Sequence, residues 1–370
     1  MRILYVTTIS LTMNSFFKPH IDMLVKEGHQ VDIACNDKEL PLDSLYEQLG
    51  CRFHTIDFSR SPLSFDNIKA YGQLKKVVEN ENYDIVHCHT PNASVITRLV
   101  CRQFRKKIGL KVFYTAHGFH FYKGAPVLNW LFFYPVEKFC SRFTDKLITI
   151  NKEDYELAKN KFKAKEVHYV SGVGIDLSKF ENVQVDRKAK RKEIGVPDDA
   201  FLLLSVGELN ENKNHQVIIR ALAKLENPSI HYAIAGEGDK KEYLLQLAEE
   251  LGVSEQVHLL GYRTDIPELL TIADCFAFPS YREGLSVSLM EAMAEKMPCL
   301  VSEIRGNMDL IDSRGGVLFN PYSADDCFDA LEKLLESDFE SLGKYNYKKI
   351  QDFSKESVLH IMNSIYALSN

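Results

Sequence analysis

Two doubly wound parallel α/β sheets in succession, each Rossmann-like, are the fold this sequence predicts. Three observations lead there. A chain of 370 residues is longer than one core comfortably serves. Short apolar runs alternate with amphipathic stretches along most of it, as in a βαβ series. The alternation breaks once, in a polar and basic stretch that begins Gly172-Val173-Gly174-Ile175-Asp176 and runs to Pro197, and then starts again. Domains are therefore expected at 1–178 and 179–352, with a C-terminal segment at 353–370.

The elements follow in order. Residues 3–7 read as a strand, 16–27 as a helix ended by Gly28, and 30–35 as the next strand. A helix at 42–49, a strand at 53–56 and a helix at 65–79 continue the series. Strands at 84–87, 111–115, 146–150 and 167–170 complete the first half, with helices between them. The second half begins with the apolar run 201–206 and continues through strands at 231–235, 257–260, 275–278 and 299–302. An amphipathic helix is expected at 355–368.

Composition excludes several classes. Hydrophobic content of 45% and charged content of 26% are ordinary for a globular protein. No apolar run approaches the roughly 20 residues that span a bilayer; the longest, 128–136, contains Asn129 and Pro135. The N-terminus reads as a first strand and not as a signal peptide. Eight cysteines without C-x-x-C spacing suggest reduced thiols of a cytoplasmic protein. Cys88 between His87 and His89 has no second cluster at ligand spacing, so no metal is expected. Charge is uneven: residues 1–178 hold 24 Lys+Arg against 19 Asp+Glu, or +5, and the remainder carries −11. The densest basic stretch, 102–111, combines cations with Phe104 and Ile108. It reads either as a solvated helix face or as a site for the anionic inner leaflet of a membrane. Nucleic acid is not an expected partner.

The most informative stretch is Pro279-Ser280-Tyr281-Arg282-Glu283-Gly284-Leu285-Ser286-Val287-Ser288-Leu289-Met290-Glu291-Ala292. An apolar strand precedes it and good helix formers follow, so it reads as strand, tight turn, helix. The free N–H groups of a helix beginning near Leu285 suit a phosphate. Glu291 lies about five residues in, roughly 7 Å along the axis, where it can receive the hydroxyls of a ribose. Glu283, before the helix, can reach a sugar beyond the phosphates. Gly207-Glu208-Leu209-Asn210-Glu211-Asn212-Lys213-Asn214 follows the first strand of the second half, placing Lys213 near the strand's carboxyl end as a phosphate partner. The glycines of Ala235-Gly236-Glu237-Gly238 permit close backbone approach to a ligand. In the first half, His117 ends a strand in Thr115-Ala116-His117-Gly118-Phe119-His120. Seven aromatics within 119–134 suit an acceptor with a lipid tail or stacked sugar rings, or a core helix.

Glu-x7-Glu behind a Pro-Ser strand end resembles the signature of the family 4 retaining glycosyltransferases, and in particular those of bacterial capsule, exopolysaccharide and O-antigen assembly. The resemblance implies a GT-B architecture, with two Rossmann-like domains facing a central cleft and a last helix crossing back to the first domain. It implies retaining, metal-independent transfer of a hexose or N-acetylhexosamine from a UDP-sugar to an acceptor, without a cofactor. Glu283, His117 and Lys213 fall on catalytic positions. Gly207, Asn210, Lys213, Gly236, Glu237, Tyr262, Arg263, Gly284, Leu285, Ser286, Val287, Glu291, Arg305 and Asp309 fall on the donor side, with Tyr262 and Arg263 near the base. Asn14, Ser15, Phe16, Phe119, His120 and Tyr122 are the acceptor-side candidates, and the acceptor is expected to be a lipid-linked saccharide met by a peripherally bound enzyme.

Two departures accompany the resemblance. Glu208 stands where the family has a phosphate-binding Arg, with Arg305 as the candidate substitute. The loop after the first strand, Thr8 to Phe17, lacks the family's glycine pair, so Asn14 and Ser15 are expected to supply its contacts. A sugar-nucleotide 2-epimerase of the same architecture, and a transferase using a soluble acceptor, are the competing readings.

Overall fold

The computed structural model describes residues 1–367. The chain forms two compact units, Met1–Gly174 with the C-terminal segment from Lys355, and Ile175–Ser354. The crossings thus fall at Gly174 and Ser354, not at 178 and 352. Gly174 marks the first crossing for a steric reason. Its φ is +85°, and a Cβ there would sit 2.7 Å from the Lys355 Cα. On the other side of the crossings, Ile175 N–H donates to the Phe353 carbonyl at 3.0 Å.

The first unit is built on a seven-stranded sheet. Its strands are β1 (Arg2–Ile9), β2 (Gln30–Asn36), β3 (Phe53–Thr55), β4 (Ile85–His89), β5 (Lys111–Ala116), β6 (Lys146–Thr149) and β7 (Glu166–Tyr169). They lie in the order β3-β2-β1-β4-β5-β6-β7, all parallel. Alternate residues of one strand feed opposite faces: Leu4 and Val6 enter one apolar cluster, Ile3 and Tyr5 the other. The helix Lys355–Ala367 packs Val358, Met362, Ile365 and Tyr366 into the second cluster. Residue 368, the last of the helix expected at 355–368, lies outside the described part of the chain.

The second unit holds β8 (Phe201–Val206), β9 (Ile230–Ala235), β10 (Val257–Gly261), β11 (Cys275–Phe278), β12 (Cys299–Ser302) and β13 (Gly316–Phe319). Their order is β10-β9-β8-β11-β12-β13, again parallel. Sequence pattern missed β13, because Gly315-Gly316 interrupts the apolar run. Those glycines admit close packing: a Cβ on Gly316 would run into the Cys299 carbonyl of the neighbouring strand.

Each sheet reverses its winding at one place. In the first unit this is between β1 and β4, in the second between β8 and β11. Crevices outside the carboxyl ends of strands at such reversals are where open α/β sheets bind ligands.

Candidate active site

The second unit's reversal point is flanked by the loops after β8 and β11. After β8 the chain enters a single 3-10 turn, Glu211–Lys213. Asn210 caps it: the side-chain oxygen accepts from the Lys213 N–H at 3.0 Å, and the amide donates to Glu208 at 2.8 Å. Asn214 follows at φ +52°, a conformation that asparagine tolerates better than most residues. Its amide donates to the Pro279 carbonyl at 3.2 Å, and the Asn212 amide donates to the Arg282 carbonyl at 3.0 Å. The Tyr281 N–H in turn donates to the Asn212 carbonyl at 2.8 Å. The two loops are sewn together by these asparagines, a role that sequence reading did not assign to Asn212 or Asn214.

The sewing fixes the chemistry. Lys213 Nζ stands 2.8 Å from Glu283 Oε1, with the two side chains only 19% and 15% exposed. The ammonium also lies 4.7 Å from the centre of the Phe278 ring. Gly207 makes room for this side chain: a Cβ there would sit 3.2 Å from Lys213 Cε. The neighbouring loops meet backbone to backbone. A Cβ on Gly236 would strike the Gly207 carbonyl, and one on Gly306, whose φ is +80°, would strike the Gly284 carbonyl. Gly236 and Gly306 therefore let their strand-end loops lie against those of Gly207 and Gly284, where side chains would hold them apart.

The helix expected near Leu285 begins at Val287 and runs to Ala294, with Ser286 as its cap, accepting from the Leu289 N–H at 3.4 Å. No acidic residue occupies its first turn, so its amino end is electrostatically open to an anion. Glu291 is half-buried on this helix. Burial pushes its carboxyl pKa up, and the nearby Lys179 opposes that shift. Lys179, on the 3-10 turn Leu177–Phe180, is a neighbour that the sequence reading missed. Arg305 and Asp309, which follow β12, are buried, and each has a partner. Tyr262 is exposed. Asp265 and Glu193 hold the Arg263 guanidinium, so this side chain braces the turn after β10. Glu237 is exposed, and its carbonyl accepts from the Leu209 N–H at 2.9 Å.

In the first unit one expectation of local structure is corrected, and the acceptor-side candidates take the following places. The segment after β1 is not an open loop but a helix, Ser10–Phe16. Asn14 is engaged on both sides, donating to the Pro41 carbonyl and accepting from the Asp43 N–H, each at 3.0 Å. Ser15 and Phe16 are exposed on that helix. Phe119 is buried and stacked on Phe121, with ring centres 5.0 Å apart. His120 stacks on Phe133 at 4.8 Å, and Tyr122 is partly buried, its carbonyl accepting from Trp130 Nε1 at 3.2 Å. Phe104 is a core residue, so of the apolar pair in the basic stretch only Ile108 is exposed. Arg105 is ion-paired with Asp145, while Arg102, Lys106 and Lys107 are exposed.

His117, itself partly buried, lies against the buried histidines His87 and His89. Its Nε2 lies 3.2 Å from His89 Nδ1, its ring faces Phe17, and His87 lies against His89 at 4.2 Å between ring centres. Burial lowers the His117 pKa to about 4, so the ring is neutral near pH 7. At the reversal point beside it, Thr90 adopts φ +64°, a rare conformation for a β-branched residue. The Thr90 hydroxyl accepts from the Thr8 N–H at 3.0 Å and lies 2.7 Å from the Thr8 hydroxyl, tying the ends of β1 and β4 together. Among the described residues no group of three or more His, Cys, Asp or Glu is arranged to hold a metal ion. No helix among them is long and apolar enough to cross a membrane.

Both units resemble known proteins. The model for "Glycosyl transferases group 1" matches residues 186–352, and that for "Glycosyl transferase 4-like" matches 2–151. EpsD of Bacillus subtilis, assigned as a glycosyltransferase, is 37% identical over 99% of this chain and 96% of its own length. A UDP-Gal:alpha-D-GlcNAc-diphosphoundecaprenol alpha-1,3-galactosyltransferase of Escherichia coli is 27% identical, covering 85% of this chain and 82% of its own. Among solved structures, Anabaena Alr3699/HepE in complex with UDP and glucose superimposes with a TM-score of 0.76 at 18% identity, over 99% of both chains.

Proposed function

The chain belongs to the group 1 glycosyltransferases, with two Rossmann-like units of the GT-B type, and on that footing we propose that it moves a hexose or N-acetylhexosamine from a UDP-sugar to a lipid-linked saccharide with retention of configuration. Relatives named for O-antigen biosynthesis and for a diphosphoundecaprenol-linked acceptor support a role in bacterial polysaccharide assembly. Family membership sets the epimerase reading aside.

The observation that carries the proposal is the Lys213–Glu283 pair beside the acid-free helix start at Val287. The diphosphate of the donor would rest on the amino end of this helix, with Lys213 as its point-charge partner. Glu283 would orient the sugar and Glu291 the ribose. When the glycosidic bond breaks, negative charge grows on the departing diphosphate. The N–H groups at the helix start, and the Lys213 ammonium once donor binding has drawn it from Glu283, would already be in place to stabilise that charge, which is the effect that accelerates such steps most. The departing diphosphate would take the acceptor's proton on the same face, so no enzyme nucleophile is invoked. Support for the donor and acceptor classes comes from relatives: HepE was crystallised with UDP, and the Escherichia coli enzyme is named for a diphosphoundecaprenol acceptor. Exposed cations Arg102, Lys106 and Lys107, with Ile108, favour peripheral contact with an anionic membrane.

The test is a panel of nucleotide sugars scored by thermal stabilisation and then by transfer to a diphospholipid-linked sugar, with EDTA present. UDP-sugars should stabilise the wild type, and Glu291→Ala should remove that stabilisation. Stabilisation by a purine-nucleotide sugar alone, or full stabilisation retained in Glu291→Ala, would refute the donor assignment. Strict dependence on added Mn²⁺ would refute metal independence.

A further inference from the structure

Two chambers in the first unit are each lined in part by residues of the segment 57–69. One, of about 570 Å³, is lined by Leu63, Val95, Ile96, Phe121, Phe132 and Phe133, among others. Its size lies within the ~300–1,000 Å³ range of small-molecule sites. The other, of about 810 Å³, is lined by Ser10, Asn36, Lys38, Asp57, Arg60 and Lys69, among others.

The polar side chains on the apolar chamber's wall are already satisfied. Glu137 accepts from Arg98 at 2.8 Å and from the Tyr114 hydroxyl at 3.3 Å. Asn92 donates to the carbonyls of Ser59 at 3.0 Å and Arg60 at 2.7 Å. Asn67 accepts from the Ser59 N–H at 3.1 Å and donates to the Ser61 carbonyl at 2.8 Å. A hydrogen-bonding ligand would therefore find little to bind there, and what the wall offers is dispersion and desolvation. Its mouth is apolar too: Leu63 is 91% exposed and Phe132 67%. The other chamber, which shares the 57–69 segment as wall, has the opposite character. Lys38 and Lys69 both bind Asp57, which draws that carboxyl pKa down to about 2 and leaves two ammonium groups side by side at the wall. Arg60 adds a third cation, while Glu39 and Asp66 make the lining mixed in charge. A mixed lining suits sugar hydroxyls and phosphate together, not bulk anions.

We propose that these chambers form one amphiphile site: the apolar chamber takes the first hydrocarbon units of the acceptor's isoprenoid chain, and the polar chamber takes its phosphorylated saccharide head. The inference rests on the lipid-linked acceptor proposed above and adds where its chain is held. Residues 59–67 form the strap between head and tail, pinned by Asn92 and Asn67.

Trp130 is the single tryptophan, and its ring lies 5.5 Å from Phe121 on the chamber wall. Its fluorescence therefore reports occupancy. Farnesyl diphosphate, geranyl diphosphate and inorganic pyrophosphate are titrated with saturating UDP present, so that any diphosphate site in the second unit is already filled. Farnesyl diphosphate should saturate the signal and bind at least tenfold tighter than the geranyl compound, since each buried methylene is worth about fourfold. Pyrophosphate should leave Trp130 unchanged. Val95→Phe, which fills the apolar chamber, should weaken farnesyl diphosphate at least tenfold, and Leu63→Ser, an exposed change that spares folding, should weaken it less. Binding indifferent to chain length, or unaltered by Val95→Phe in a protein that still melts as wild type, would overturn the inference. In transfer assays Val95→Phe should raise KM for a long-chain acceptor and leave KM for the UDP-sugar unchanged; equal loss on both would also overturn it. If no lipid-linked acceptor is ever glycosylated, the proposed function fails, while the fluorescence titration still decides the chamber.

Discussion

Replacing Glu283 with Gln should make the protein bind UDP more tightly even as it loses sugar transfer. The reason lies in the 2.8 Å contact that occupies Lys213 in the ligand-free structure. At an effective dielectric near 20, two unit charges at that separation attract by about 6 kcal/mol. Most of this is offset by desolvation of the two groups, leaving about 1.5–3 kcal/mol, as for other charge-assisted hydrogen bonds. A diphosphate that recruits Lys213 must give up that pair. Glu283→Gln removes the competitor, so UDP affinity should rise by about tenfold to a hundredfold. Lys213→Ala should weaken UDP, and in its background Glu283→Gln has no pair left to release, so its effect should shrink. Calorimetric titration of UDP into the wild type, both single variants and the double variant gives the coupling directly, expected at about 1.5–3 kcal/mol. Urea unfolding of the same four proteins separates affinity from stability. Additivity within about 0.5 kcal/mol, or no tightening in Glu283→Gln, would refute the exchange of Lys213 between carboxylate and phosphate.

Three further outcomes follow from other contacts. Gly306→Ala places a Cβ against the Gly284 carbonyl at a left-handed φ, so it should lower stability by about 1–3 kcal/mol and weaken UDP binding, read by urea unfolding and calorimetry. His20 and His117 are held near a pKa of about 4 by burial, against 6.5 when exposed. The unfolded chain therefore binds more protons, and stability present above pH 6.5 is lost as pH falls towards 4, by about 2 kcal/mol per histidine at pH 5. His87 and His89 are shifted the same way, so urea midpoints of the first unit should fall steeply between pH 7 and 5; a flat profile would contradict the neutral cluster. Asn214→Ala removes the amide that ties the Lys213 loop to Pro279, and should cost about 1–2 kcal/mol of stability and raise KM for the donor, measured by unfolding and initial rates.

The sequence by itself determined the two parallel sheets, because buried parallel strands are continuous apolar runs and the helices between them keep their own period. It also determined the Glu283 turn and the helix that carries Glu291, since strand–turn–helix spacing is local, and it read Lys213 separately from the end of another strand. It did not reveal β13, whose Gly315-Gly316 carries no apolar signal and is explained only by the carbonyl of a strand brought alongside. It misread the segment after β1 as a loop, because the helix Ser10–Phe16 is short and held by bonds from Asn14 and Ser10 to residues 40–43 that no local pattern announces. Asn212, Asn214, Thr90 and Gly306 were silent for the same reason. Tertiary structure alone decided that Lys213 rests on Glu283, that Arg263 is held by Asp265 and Glu193, and that Phe119 belongs to a wall instead of a surface. Periodicity records which face of an element is dry, but a hydrogen bond between two loops, or a Cβ that would not fit, depends on the separation of atoms far apart along the chain.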